Sequence, residues 1–125
     1  MAEYNWSGKT ILIVEDNIIN YKYLELALKN TYATIIHAQN GQEAIDLFNQ
    51  NPGINLILMD INLPGMSGYE TTEQIRLQNT TVPIIAQTGN ETEKDLQQCF
   101  DAGCNGCLTK PIAADVLINS IKEYL

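Results

Sequence analysis

The sequence predicts an α/β fold: five βα units around a parallel sheet. Three observations carry this. Short apolar runs alternate five times with segments of helical period. The runs Ile11–Val14 and Leu56–Met59 are apolar without alternation, as expected of strands covered by helices on both faces. Acidic, hydroxyl and basic residues stand where these runs end, and parallel sheets carry their sites at the carboxyl ends of strands.

The first strand is Thr10–Val14, a β-rich run that ends in acids. Asn17 to about Asn30 reads as a helix, with Tyr21, Leu24 and Leu28 along one face. Ala33–His37 is the second strand. Gly41–Asn51 is the second helix: Ala44, Leu47 and Phe48 align, Asn40 is its N-cap and Pro52-Gly53 ends it. Leu56–Asp60 is a third strand, apolar until its last residue. Ser67–Gln78 follows as a helix, Pro83–Gln87 as a strand, and Glu91–Ala102 as a helix closed by Gly103. Cys104–Thr109 is the fifth strand. Ile112–Tyr124 is the last helix, with Leu117 and Ile121 on its inner face. No repeat, linker or low-complexity segment interrupts this order, so residues 1–125 read as one domain with a lead-in over residues 1–8.

The chain has 125 residues, one ordinary domain in length. A chain this long buries roughly two thirds of its unfolded surface and needs no staples. Seven Lys and Arg against fifteen Asp and Glu leave a net charge of −8. Direct binding of nucleic acid or of anionic membranes is disfavoured, since both need a basic face. No apolar run approaches the roughly 20 residues of a membrane span, and the first residues lack the pattern of a signal peptide. Three cysteines, all within Cys99–Cys107, are an odd count. They point to a reducing, cytoplasmic setting rather than a disulfide framework, and the Asn5, Asn79 and Asn90 sequons then carry no meaning.

The strand ends bring chemistry together. Glu15 and Asp16 follow the first strand, Asp60 ends the third, Thr88 follows the fourth and Lys110 the fifth. Three carboxylates in one small pocket repel, and without a counter-charge one of them protonates. A hard divalent cation, Mg²⁺ above all, relieves this and keeps open positions for phosphate oxygens. An Asp carboxylate can attack phosphorus and become an acyl phosphate. Lys110 and Thr88 offer a positive charge and a hydroxyl to the phosphoryl oxygens.

Four blocks resemble the response-regulator receiver domain. They are Ile11–Asn17 (ILIVEDN), Met59–Gly68 (MDINLPGMSG), Pro83–Gly89 (PIIAQTG) and Thr109-Lys110-Pro111. Each is weak alone; their order and spacing over essentially the whole chain are specific. The resemblance implies a flavodoxin-like doubly wound (βα)₅ sheet of five parallel strands in the order 2-1-3-4-5. It implies that Asp60 accepts a phosphoryl group from the phosphohistidine of a histidine kinase or histidine phosphotransfer domain. Asp16, Asp60 and the backbone carbonyl of Asn62 would ligate Mg²⁺, with Glu15 acting through water. Thr88 would contact the phosphoryl group, and Lys110 would pair with the acids and then with the phosphoryl oxygens. Lys110-Pro111 is a step commonly cis in the family. Such a domain catalyses only its own phosphorylation and dephosphorylation; it is not an enzyme acting on free metabolites.

The segment Trp6–Thr10, the loop Asp60–Glu70 and Ala102-Gly103-Cys104 look like receivers attached behind hybrid sensor histidine kinases. That origin implies a monomer in isolation, and a cytoplasmic domain tethered to the membrane only through the kinase. The chain departs from the family pattern at Cys107, where an aromatic residue usually swings on activation. Phosphorylation is expected to survive this, with a small or differently coupled change at the fourth helix. Glu15-Asp16 is a tolerated variant of an Asp pair, and Leu63 an apolar filling. Asn62 and Asn90, two residues past Asp60 and Thr88, stand where the family tunes loss of the phosphoryl group; they read equally as turn residues.

Three motifs are decoys. Gly8-Lys9-Thr10 echoes a phosphate-binding loop, but Glu3 stands where its first Gly belongs and a strand follows. Cys99, Cys104 and Cys107 match part of an iron–sulfur spacing without a fourth Cys, and a strand there would point Cys104 and Cys107 to opposite faces. His37, the only His, reads as a surface or packing residue. Two other functions compete: a phosphatase of the haloacid dehalogenase class, which wants an acid where Asn62 stands, and a silent docking module, against which the intact acids, Thr88 and Lys110 argue.

Overall fold

In the computed structural model, residues 4–89 and 92–125 are described. Five parallel strands form one sheet: β1 (Thr10–Val14), β2 (Thr34–Ala38), β3 (Leu56–Asp60), β4 (Ile84–Thr88) and β5 (Gly106–Thr109). Their spatial order is β2-β1-β3-β4-β5, as the resemblance implies. The helices are α1 (Ile18–Leu28), α2 (Gly41–Gln50), α3 (Gly68–Gln78), α4 (Glu93–Ala102) and α5 (Ala114–Lys122).

Strand alternation splits the core into two layers. Leu12, Val14, Ile57, Met59, Ile84 and Ala86 face α2, α3 and α4 with Ala44, Phe48, Ile75 and Cys99. Ile11, Ile13, Leu56, Leu58 and Ile85 face α1 and α5 with Leu24, Leu28, Leu117 and Ile121. The central strands are therefore apolar on both faces, and every residue of β3 and β4 is buried.

Local chemistry explains the helix starts. Asn17 Oδ1 accepts from the amides of Ile19 and Asn20, and Asn40 Oδ1 from that of Glu43. Ser67 and Glu70 close a capping box at α3. Thr92 caps α4; the part of the expected fourth helix at Glu91 lies outside the described residues, as does Asn90.

Some boundaries differ from the sequence reading. α1 ends at Leu28 and tightens into a 3₁₀ turn, Lys29–Thr31, because the Thr31 hydroxyl donates to the Leu28 carbonyl and Tyr32 turns left-handed at φ 65°. β5 begins at Gly106, not Cys104. Gly103 caps α4 at φ 113°, and the Cys104 amide returns to the Cys99 carbonyl in a helix-ending turn. Thr88 is the last residue of β4 rather than its successor. The opposite-face argument for Cys104 and Cys107 fails for the same reason. Cys104 precedes the strand, and both residues pack with Cys99 in the α2–α4 layer.

Candidate functional site

Parallel strands all end at one edge, and the loops after β1, β3, β4 and β5 meet there. Glu15 lies just beyond β1, held by its amide on the Ala38 carbonyl at 3.0 Å. Its own carbonyl is 2.8 Å from His37 Nε2, and the His37 ring stacks on Tyr21 with centroids 3.6 Å apart. His37 thus packs, as expected, but against the backbone of a site residue, a role the sequence did not signal.

Glu15, Asp16 and Asp60 come together, each offering a carboxylate oxygen within 4.8 Å of the others. Glu15 and Asp60 are buried, at 1% and 2% exposure, while Asp16 faces solvent. Lys110 Nζ bridges the two buried acids, 3.1 Å from Glu15 Oε1 and 3.2 Å from Asp60 Oδ1. The Asn62 amide donates to Asp60 Oδ1 at 3.1 Å, and the Asn17 amide to Glu15 Oε2 at 3.2 Å. Thr88 is buried at the same edge, its carbonyl accepting from the Lys110 amide at 2.7 Å. The Lys110-Pro111 bond is cis, as the resemblance implies.

α3 begins hard against the acceptor loop. The Gly68 amide donates to the Ile61 carbonyl at 2.9 Å. A Cβ at Gly68 would collide with the Asp60 carbonyl oxygen and crowd the Ile61 Cα. Only a residue without a side chain fits this approach.

The charges do not balance. Burial, a hydrogen bond to Asp60 and the Asp60 charge together push the Glu15 carboxyl from 4.5 to about 7, against the pull of Lys110. Burial works against the Lys110 ammonium, but the charge of Asp60 and the bond to Glu15 outweigh it and raise its pKa. Three carboxylates against one ammonium leave an all-oxygen donor set with surplus negative charge. That set fits a hard divalent cation such as Mg²⁺.

Cys107 stands on β5 with its sulfur 3.2 Å from that of Cys99 on α4. A thiol pair thus joins α4 to β5 at this position. Burial raises the thiols of Cys104 to about 11 and Cys107 to about 12, the latter also through its contact with Cys99.

A doubly wound sheet with an acid cluster and a bridging lysine at its carboxyl edge is the arrangement the resemblance implies. The family profile described as the response regulator receiver domain matches residues 11–122. The chain belongs to that family and is a receiver domain of two-component signalling. It is 33% identical over 114 residues to the sensor histidine kinase RcsC of Salmonella typhimurium, covering 91% of this chain and 12% of that protein. The chain therefore spans only a small part of such hybrid relatives. It is 35% identical to the polar-differentiation response regulator DivK of Brucella anthropi, covering 94% of this chain and 96% of DivK. Among solved structures, it is similar to the receiver domain of Ssk1, co-crystallised with the histidine phosphotransfer protein Ypd1 of Saccharomyces cerevisiae. That match has a TM-score of 0.88 and 32% identity, over 99% of this chain and 91% of that one.

Sequence reasoning missed Gln87. The sequence places it only as the last residue of an apolar strand, yet it is a buried amide at 1% exposure next to the site. Its one available signal was a polar residue inside an otherwise apolar run.

Proposed function

We propose that Asp60 is the phosphoacceptor of a phosphorelay and that its donor is the phosphohistidine of a histidine kinase or phosphotransfer domain. The observation that carries this is the Lys110 ammonium held between Glu15 and Asp60 inside a cluster of three carboxylates. In the reaction an Asp60 oxygen attacks phosphorus, the phosphorus–nitrogen bond breaks, and the imidazole leaves. Lys110 is already within reach of Asp60 and neutralises charge on the transferred group. The Asn62 amide orients one Asp60 oxygen, which leaves the other for attack. Thr88, buried at the end of β4, offers its hydroxyl to a phosphoryl oxygen. Asp16, Asp60 and the Asn62 carbonyl would hold Mg²⁺, with Glu15 reaching it through water; the ion supplies charge neutralisation at the phosphoryl oxygens.

The reading extends to context. The domain comprises the whole chain, works in the cytoplasm, acts as a monomer when isolated, and turns over no metabolite. Its donor docks at the edge around Asp60 and the start of α1, where Ile18 and Ile19 are 55% and 75% exposed. The Ssk1 receiver, which is crystallised with a phosphotransfer protein, supports a partner of that kind.

The test is intact mass after incubation with phosphoramidate or acetyl phosphate. One phosphoryl adduct is expected with Mg²⁺, and none with EDTA or in Asp60→Ala. Failure of both donors, together with absence of Mg²⁺ binding, would leave only a docking module.

A further inference from the structure

The cysteines gather where α4 meets β5. Cys99 Sγ on α4 lies 3.2 Å from Cys107 Sγ on β5. Cys104 takes a different partner, its sulfur 3.8 Å from the Thr72 hydroxyl of α3. The backbone between Cys99 and Cys107 is held at several points. The Cys104 amide returns to the Cys99 carbonyl at 2.9 Å, and the Asn105 amide crosses to the Ile84 carbonyl of β4 at 2.7 Å. Arg76 of α3 clamps the same turn, with Nε on the Gly103 carbonyl and a terminal nitrogen on Asn105 Oδ1, each at 2.9 Å. Cys107 itself stands in register with Ala86 of β4. The fold therefore sets these two sulfurs against each other and does not leave them to meet by chance. A disulfide bond is about 2.05 Å long, so they need approach by only about 1 Å.

We infer that Cys99 and Cys107 form an oxidative modification site, at which a small peroxide joins them in a disulfide that fastens α4 to β5. The inference does not depend on the phosphoacceptor reading. Cys107 is half-buried and stands on an edge strand of the sheet, whereas Cys99 and Cys104 lie further inside at 0% and 6% exposure. The peroxide therefore meets Cys107 first. The Cys107 sulfur attacks one peroxide oxygen, the oxygen–oxygen bond breaks, and a sulfenic acid and one water result. The Cys99 sulfur then attacks the sulfenic sulfur, the sulfur–oxygen bond breaks, and the hydroxyl leaves with the Cys99 proton as a second water. The two thiols lose two electrons and two protons, and the peroxide takes up both. Burial, the contact with Cys99 and the Asp95 charge raise the Cys107 thiol to about 12. Little thiolate exists at neutral pH, so the site answers sustained oxidation and not a brief pulse. The bond closes residues 99–107 into a ring, and the carboxyl end of α4 can then no longer part from β5.

The experiment exposes folded, reduced wild type to hydrogen peroxide and reads intact mass. The expected product is lighter by two hydrogens and keeps one thiol that alkylates. Differential alkylation before and after reduction, read by tandem sequencing of the tryptic peptide 95–122, should assign the bond to Cys99 and Cys107 and leave Cys104 free. In urea the same oxidation should spread over the shorter pairings Cys104–Cys107 and Cys99–Cys104, because no fold selects the partner. Hydrogen exchange at the last amides of α4 should slow about tenfold in the oxidised protein and recover with dithiothreitol. Cys99→Ala keeps its site apolar and should stop the reaction at a Cys107 sulfenic acid, trapped by dimedone; the wild-type assignment stands without the variant. Thiols that all stay free under prolonged exposure, a bond that uses Cys104 or links two chains, the same pairing in urea as in the folded protein, or unchanged exchange in α4 overturns the inference.

Discussion

Metal-free protein should lose stability as pH rises from the ordinary glutamate range to neutrality, and Glu15 should be the cause. Burial beside Asp60 raises its carboxyl from 4.5 to about 7 in the folded chain. In the unfolded chain the same group ionises near 4.5. Between these values the unfolded chain has released a proton that the folded chain still holds, so rising pH favours unfolding. The loss begins above pH 4.5 and is complete above about 7. At about 1.4 kcal/mol per pH unit, the whole window is worth about 3 kcal/mol. The assay is urea unfolding in EDTA across the window, for wild type and Glu15→Gln at one ionic strength. Wild type should fall by about that amount relative to the variant, which carries no proton to lose. Mg²⁺ needs ionised carboxylates, so it should stabilise wild type more above pH 7 than below and flatten its profile. If the wild-type and Glu15→Gln profiles run parallel in EDTA, the account of the acid cluster is wrong.

Three further outcomes follow from the geometry. Gly68→Ala should cost about 2 kcal/mol, because a methyl group meets the Asp60 carbonyl and Ile61 backbone, neither of which can step aside; urea midpoints and phosphoramidate labelling should both fall. Ser67→Ala removes one half of the α3 capping box and should cost about 1 kcal/mol by the same melts. Alkylation of Cys104 and Cys107 by iodoacetamide should be slow at neutral pH and accelerate as pH rises, since the thiolate reacts and both thiols are pushed far up; intact mass against time at several pH values reads this.

The strand ends were legible because the apolar runs stop abruptly. Leu56–Asp60 has the same bounds in sequence and structure, since a strand buried on both faces leaves no ambiguity about where polarity begins. Glu15, Asp16 and Asp60 were placed together by topology alone, and Lys110 joins the two buried acids as that placement requires. The onset of β5 was not legible. Cys104 and Cys107 are apolar enough to read as strand, but the Gly103 and Cys104 amides return to α4, and only at Asn105 does the backbone donate to the Ile84 carbonyl of β4. Gln87 was not legible either, because a single polar residue in a strand says nothing about whether its amide finds a partner. That is decided by α1 and the β5–α5 loop, which are distant in sequence.

The burial of β3 has a consequence for how information leaves the domain. Asp60 ends the middle strand, which has a hydrogen-bonded neighbour on each side and a helical layer on each face. A chemical mark placed there sits on ground too stiff to carry a message by deforming. The less buried chain lies at the sheet's rim, in the edge strand β5, every residue of which is half-buried. On the phosphoacceptor reading, the mark would be written at the centre and read at the rim. Sensitivity of the output should accordingly be tuned by residues that never touch the phosphoryl group, with the thiol contact between α4 and β5 among them.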